Sequence, residues 1–283
     1  MRATLLLSSL LLLAGCGDAA VEAPSPVATP AAASSPAATP PPAVEPALPT
    51  PAPTAGQPFA RASVREGSRL YDGFTFWGWS ADGARYAFET LDPGPGAVEC
   101  EGRYDLFVVD AASDRFVEGG VVSLKYDEPE PADGICLPRD LAGAWTARRD
   151  AALKAHGIVA GAHVEPAPYQ AIGEDGSLWQ INAPGCELQV QFTVDTPGRE
   201  AVMSTPGAGA AYTLKTRIAG GPWTVVEAGT RKRETVHDYS VGDASAFFSP
   251  DGRRGALFVA RTHLSYEGDR VTFMSNGITL PAP

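Results

Sequence analysis

The residues from which metal sites and catalytic centres are usually built are scarce in this sequence. It has four cysteines and four histidines among 283 residues. The cysteines form no C-x-x-C pair, and the histidines form no H-E-x-x-H motif. A G-x-S-x-G nucleophile elbow is also missing. These absences argue against a zinc centre and against a serine hydrolase that a motif would reveal. We therefore predict no metal and no cofactor.

Basic side chains are in short supply as well. The chain has 22 Lys and Arg against 33 Asp and Glu, which leaves a formal net charge of −11 at pH 7. Binding to nucleic acids or to anionic membrane surfaces depends on clustered positive charge, so an acidic chain is repelled by both. We therefore expect no nucleic-acid partner. Simple solubility and a cationic ligand are both compatible with this charge.

Long apolar runs are missing except at the N-terminus. There, Leu5–Leu13 follows Arg2 and is too short to cross a bilayer as a helix, as in a secretory signal. The residues that follow, Leu13-Ala14-Gly15-Cys16, resemble the lipobox of bacterial lipoproteins. The resemblance implies that residues 1–15 are removed and that Cys16 carries a diacylglyceryl thioether and an acylated amino group. An ordinary secretory signal with a chance cysteine is the alternative.

The predicted anchor also predicts a location. Several acyl chains hold a protein stably on a membrane, whereas a single chain binds only marginally. Gly17 stands after the cysteine, where many lipoproteins retained in the inner membrane have Asp. We therefore expect a protein of the bacterial cell envelope that contacts the membrane through its lipid. The outer membrane is the favoured site, and the periplasmic and surface sides both stay open.

A proline-rich segment separates the anchor from the rest of the chain. Residues 21–58 contain 12 Pro and 11 Ala and have no periodic apolar face. Such a segment cannot bury enough apolar surface to offset the entropy of ordering, so we expect a disordered tether with polyproline-II character. The predicted divisions are a signal peptide at 1–15, the lipidated cysteine and tether at 16–58, and a β-rich globular domain at 59–283.

Two Ser-x-Asp-Gly tetrapeptides stand between β-favouring runs. One follows Phe74–Trp79 and the other follows Ser245–Phe248. Asp and Ser side chains bond to the backbone of tight turns, Pro suits the second turn position and Gly suits a left-handed one, so a structural role is favoured over catalysis. The predicted turn residues are Ser80, Asp82, Gly83, Ser249, Pro250, Asp251 and Gly252.

The remaining pattern predicts a mainly β fold of antiparallel meander sheets. Further strands are expected at 104–110 and 116–126, the latter with a bulge at its Gly pair. The segments at 221–228 and 234–241 suggest a hairpin with the basic residues of "GTRKR" at its turn. One helix is predicted near 140–156, with Gly157 as its stop.

The turn motif resembles a known repeat. Ser-Pro-Asp-Gly and the strand "LFVVDA" at 106–111 resemble the repeat of TolB-type β-propellers, and the order of segments resembles an uncharacterised bacterial family of predicted secreted proteins. The resemblance implies sheets shaped like propeller blades and carries no catalytic residues. The two copies lie 169 residues apart, or four periods of about 42, so an irregular five-bladed propeller is the alternative fold.

With Cys16 assigned to the lipid, three cysteines remain. In an oxidising compartment an odd number implies one disulfide and one further thiol. In a meander, the loop after the second strand and the exit from the fourth strand emerge at the same end of the sheet. Cys100 and Cys136 lie in these two segments, so we favour their disulfide, which leaves Cys186 over.

An acidic stretch at the same end of that sheet suggests a calcium hypothesis. Its carboxylates could share a cation with those of the neighbouring loop, although no EF-hand spacing is present and a solvated acidic edge is the alternative. The residues concerned are Asp127, Glu128, Glu130 and Asp133, opposite Asp92, Glu99 and Glu101.

These observations describe location and class better than activity. The predicted function is a non-enzymatic interaction or assembly module of the envelope, with a protein or glycan partner. The alternative is an envelope hydrolase whose site is built from residues without a local motif. Convergence of His237, Asp238 and a serine would favour that alternative.

Overall fold

A computed structural model describes residues 56–66, 69–92, 100–128, 139–172, 177–218, 220–241, 246–265 and 268–281. The predicted signal peptide, Cys16 and most of the tether lie outside these ranges. The described residues form three β-sheets, named I, II and III, and two helices. No helix among them is long and apolar enough to cross a membrane.

Sheet I contains the first Ser-x-Asp-Gly turn. It is a five-stranded antiparallel sheet with the order β1-β4-β5-β6-β7. A register shift opposite Phe107 and Val109 places a bulge at the Gly pair of β7, as predicted. Its strands are β1 (Phe59–Arg61), β4 (Gly73–Trp79), β5 (Arg85–Asp92), β6 (Cys100–Asp110) and β7 (Arg115–Glu128).

Sheet II is formed by the middle of the chain. The order of its strands is β12-β11-β10-β9-β8, and a short strand, β13, also pairs with β11. These strands are β8 (Tyr169–Ala171), β9 (Leu178–Ala183), β10 (Cys186–Asp195), β11 (Gly209–Ile218), β12 (Thr224–Ala228) and β13 (Arg233–Glu234).

Sheet III joins the two ends of the domain. Its order is β14-β16-β17-β3-β2, with β15 paired to β16, and β3 runs parallel to β17. The strands are β2 (Val64–Glu66), β3 (Arg69–Tyr71), β14 (Val236–Ser240), β15 (Ala246–Phe248), β16 (Arg254–Ser265) and β17 (Gly268–Thr279).

Sheet III is the middle layer of the core. Alternate residues of β16 face opposite sides: Ala256 and Phe258 pack in the apolar cluster shared with sheet I, while Leu257 and Val259 pack in the cluster shared with sheet II. This explains the near-continuous apolar sequence of β16, because a strand covered on both faces does not alternate with polar residues.

Helix α1 (Arg139–Ala155) covers the other face of sheet I and confirms the predicted helix. Gly157 follows its end with a positive φ of 68°. Trp145 Nε1 donates to Glu89 Oε1 at 2.8 Å, and Trp77 Nε1 donates to Glu89 Oε2 at 2.9 Å. Burial raises the pKa of Glu89, and the two indole donors partly offset this rise.

The mainly β prediction is confirmed, but two details of it were wrong. The described residues form three sheets rather than the five of the propeller alternative, because between β7 and β14 the chain supplies only the two helices, a loop and sheet II. The expected hairpin around "GTRKR" does not form. Its first arm is β12 in sheet II, and its second arm, β14, pairs with β16 in sheet III. A six-residue helix, α2 (Arg199–Ser204), was not predicted.

Candidate functional site

The two Ser-x-Asp-Gly segments form turns with the same hydrogen bonds. Ser80 Oγ donates to Asp82 Oδ1 at 2.6 Å and accepts the Arg85 N–H at 2.9 Å. Asp82 Oδ1 also accepts the Ala84 N–H at 3.0 Å. These bonds lower the pKa of Asp82, that from Ser80 most strongly. Each polar group of the motif is therefore used within the turn.

The second turn repeats this pattern closely. Ser249 Oγ donates to Asp251 Oδ1 at 2.6 Å, and the Arg253 N–H donates to the same carboxylate oxygen at 3.0 Å. Gly252 has a φ of 67°, which matches the 63° of Gly83. The two turns are also neighbours, because a Cβ on Gly83 would lie 3.0 Å from the Cβ of Ser249. Glycine is thus required both by conformation and by close approach.

Several residues of the disulfide and calcium hypotheses lie outside the described structure. Cys136, Glu130 and Asp133 are among these, so both hypotheses stay predictions. The backbone pairing of β6 and β7 places Cys100 opposite Glu128. Across the ranges that the structure covers, no three His, Cys, Asp or Glu side chains are grouped to hold a metal ion. Cys186 has a free thiol whose pKa is raised by burial.

His237 contacts Asp269 rather than Asp238, so the convergence that would have favoured the hydrolase alternative is not seen among the described residues. His237 Nε2 lies 3.1 Å from Asp269 Oδ1, and Arg199 Nε approaches the same oxygen at 3.0 Å. The Asp238 carboxylate accepts the N–H of Tyr239 instead, at 2.8 Å. Burial raises the pKa of Asp269, but the hydrogen bonds from Arg199 and His237 outweigh it and lower this pKa overall.

The strongest candidate site is a cleft of about 780 Å³ between sheet I and the β16–β17 region of sheet III, closed on one side by the segment before β14. We refer to it as the cleft. One wall is aromatic and the other is basic. The side chains used below are Phe107, Phe116, Phe273, Arg233, Arg261 and His263, all of which line it.

The aromatic wall is a row of three phenylalanines on adjacent strands of sheet I. Phe88 stacks on Phe107 with ring centroids 5.0 Å apart, and Phe107 stacks on Phe116 at 5.2 Å. We call this row the aromatic ladder. Its inner end is buried, whereas Phe116 exposes 57% of its surface. The ladder thus leads from the core to solvent, and Phe116 at its outer end is available for contact.

The basic wall contains two half-buried arginines that form no ion pair with a carboxylate in the described part of the chain. Arg233 Nη1 donates to the Tyr239 hydroxyl at 3.4 Å, and Arg261 Nε donates to Thr272 Oγ1 at 2.5 Å. Both partners are neutral. Burial lowers the pKa of Arg261 most, the nearby charges of Arg233 and Arg270 lower it further, and Tyr239 and Asp72 oppose this without cancelling it. An anion placed between the two guanidinium groups would relieve this repulsion.

His263 adds a neutral polar group to the same wall. Burial and the positive charges of Arg261 and Arg270 lower its pKa to about 4, so the ring is uncharged at neutral pH. Its Nε2 atom is buried and has no hydrogen-bond partner among the described residues. An unpaired buried polar atom is costly, and a ligand in the cleft could supply the missing partner.

Sequence reasoning missed the cleft, although one signal for it was present. Arg231, Lys232 and Arg233 are consecutive basic residues in a strongly acidic chain, and they were interpreted only as a turn. The aromatic ladder and Arg261 carry no local motif, since they meet only through the packing of sheets I and III. Comparison of the chain with known protein families, curated proteins and solved structures finds no match.

Proposed function

We propose that this chain is a non-enzymatic interaction module of the bacterial envelope, anchored by a lipid on Cys16, and that the cleft is its recognition surface. The observation that carries the proposal is the composition of the cleft. A concave site that combines aromatic side chains with a few polar groups in fixed positions is typical of binding sites in proteins.

The energetics of the two walls support binding. Phe116 stays largely exposed, and Arg233 and Arg261 stay half-buried without an ion pair in the described structure. Both conditions are unfavourable in the free protein. A partner that covers the aromatic ladder and brings an anion would improve both, and aromatic and Arg side chains often dominate the energy of interfaces.

The sequence before the domain supports the same proposal. A proline-rich tether extended at about 3.1 Å per residue would reach on the order of 100 Å. The domain could then meet a protein or glycan partner well away from its lipid. The resemblance to TolB-type blades belongs to this proposal and adds no activity to it.

A photo-cross-linking experiment tests the recognition surface. The cross-linking amino acid p-benzoylphenylalanine replaces Phe116 in the lipidated full-length protein, and irradiation is carried out in intact envelopes. The matched control carries the same group at Ile172, which is 40% exposed and does not line the cleft. We expect a discrete cross-linked product from position 116 only. Equal products from both positions, or none from position 116, would contradict the proposal.

The anchor has its own test. Cys16→Ser removes the sulfur that the lipid requires, so we expect loss of labelled-palmitate incorporation and release of the domain from membranes. Cys186→Ser is the matched control, since Cys186 lies in β10 of the folded domain. Palmitate incorporation that persisted in Cys16→Ser would overturn the anchor.

A further inference from the structure

The outer edge of β17 borders the cleft. β3 pairs with β17 only from Asp269 to Val271, and the Asp72 N–H then reaches the Val271 carbonyl at 2.9 Å. Further along, Asp114 Oδ1 accepts the Gly277 N–H at 2.6 Å. Between these two points the described residues add no strand to β17.

The residues between the two points are accessible from the cleft. Phe273, Met274 and Ser275 all line it, and all three are half-buried. A strand with only one open face would alternate between buried and exposed residues. Three partly exposed residues in succession instead indicate that the cleft follows the edge of the strand.

The backbone of this edge has a defined polarity. Along a strand, the N–H and C=O groups of every second residue point to the same side. The Val271 carbonyl and the Gly277 amide both point away from β16, as their bonds to Asp72 and Asp114 show. The backbone groups of residues 273 and 275 therefore face the same way and could pair with an additional strand.

The side chains around this edge favour an acidic and apolar occupant. The aromatic ladder offers Phe107 and Phe116 to an aromatic or branched apolar side chain. Arg233 and Arg261 offer two guanidinium groups to a carboxylate. Two acidic residues line the cleft: Asp114, which accepts the Gly277 N–H, and the exposed Glu234. They are outnumbered by the basic lining residues Arg231, Lys232, Arg233 and Arg261.

We propose that the cleft binds an extended acidic segment of a partner protein, which adds as a strand to the free edge of β17. A carboxylate of the segment meets Arg233 and Arg261, and an apolar side chain packs on the aromatic ladder. This inference rests on the proposed function, which itself requires only that the cleft be the recognition surface. Edge addition of a peptide strand combines backbone hydrogen bonds for affinity with side-chain pockets for specificity.

Binding of a synthetic peptide tests the inference. The probe is a fluorescein-labelled octapeptide of alternating Glu and Phe, and its fluorescence anisotropy is followed with the full mature chain. Two N-methylated versions serve as matched probes, one methylated on every Glu and the other on every Phe. In an extended peptide the N–H groups of the Glu residues point to one edge and those of the Phe residues to the other, so only one kind can donate to β17. We expect the version methylated on that kind to bind at least about tenfold more weakly and the other version to keep its affinity.

A protein variant tests the side-chain part. Arg261→Gln removes the charge that faces the cleft, so we expect the octapeptide to bind about tenfold more weakly. Arg148→Gln is the matched control, since Arg148 is exposed on α1 and does not line the cleft, and it should bind as the wild type does. The test with N-methylated peptides uses the wild-type chain, so it stands even if Arg261→Gln does not fold.

Other outcomes separate this inference from the proposed function. Equal binding of both N-methylated versions and the parent peptide would overturn strand addition. Binding of sodium laurate without binding of the octapeptide would overturn it in favour of a small amphiphilic anion. If no peptide binds while position 116 still cross-links to a partner, the inference fails and the proposed function stands.

Discussion

Arg261 and Arg270 lie on neighbouring strands of sheet III, and their surroundings differ. Arg270 donates to Asp72 Oδ1 at 2.8 Å and also contacts Asp92, so two carboxylates surround one guanidinium group. Arg261 forms no ion pair: it donates to the hydroxyl of Thr272, and the repulsion of Arg233 and Arg270 is opposed only by the more distant charges of Tyr239 and Asp72. The first arrangement holds β17 to the ends of β3 and β5. The second has no ion pair within the described chain, and this is the arrangement that the proposed binding of an anionic partner would use.

Removal of Arg270 should have the largest effect. Arg270→Met leaves the buried Asp72 carboxylate without its partner, and we expect a loss of about 3 kcal/mol in the free energy of unfolding at pH 7. Urea denaturation measures this loss. In the Asp72→Asn background the same change should cost much less, because no buried charge is then abandoned. Equal losses in the two backgrounds would remove the distinction between the two arginines.

The pH dependence of stability should reveal the Asp72 carboxyl. Burial raises its pKa from 3.8 to about 6 against the opposing effect of Arg270. The folded state therefore holds the proton more tightly than the unfolded state. Stability from this group is complete below about pH 4 and is lost as the pH rises through 6, by roughly 2 to 3 kcal/mol.

Urea denaturation between pH 4 and pH 7 measures this loss as the difference between the wild type and Asp72→Asn. The wild type should lose stability relative to the variant as the pH rises. A difference that is constant across this range would mean that the pKa of Asp72 is the same in both states.

A turn carboxylate should matter less than either of these groups. Asp251→Ala removes the acceptor for Ser249 and for the Arg253 N–H, and we expect a loss of about 1 kcal/mol in thermal or urea unfolding. Asp251→Asn retains an acceptor oxygen and should lose less. Because Asp82 makes the same bonds, Asp82→Ala should give a similar loss. Markedly different losses for the two variants would show that the two turns contribute unequally to stability despite their matching hydrogen bonds.

Removal of Arg261 should have the smallest effect on stability. Arg261→Met removes a half-buried charge that forms no ion pair in the described structure, so we expect no loss and a gain of up to about 1 kcal/mol. Urea denaturation of Arg261→Met and of Arg270→Met compares the two effects directly. If Arg261→Met destabilises the domain as strongly as Arg270→Met does, Arg261 is structural. The interpretation of the basic wall as a binding surface then fails.

Local features could be predicted from the sequence because neighbouring residues determine them. The strands β6 and β7, the bulge at the Gly pair and α1 with Gly157 after it all follow from short-range patterns. The Ser-x-Asp-Gly residues likewise lie in turns whose bonds span at most five residues.

The layer order and the cleft could not be predicted in this way. Arg270 and Asp72 are 198 residues apart in the chain, and no local pattern connects them. The basic residues before β14 were interpreted as a hairpin turn because both flanking segments read as strands. The strands do form, but they belong to different sheets, and the choice between the two pairings depends on the partners β11 and β16.

The parallel pairing of β3 with β17 has a consequence for the order of folding. The middle layer of the core needs residues 69–71 and residues 269–271 together, so almost the whole domain must be present before it can close. Folds dominated by such distant pairings form slowly. A chain that emerges from the ribosome N-terminus first lacks its central sheet until β17 follows. Its N-terminal strands therefore wait for the last part of the domain before the core can close.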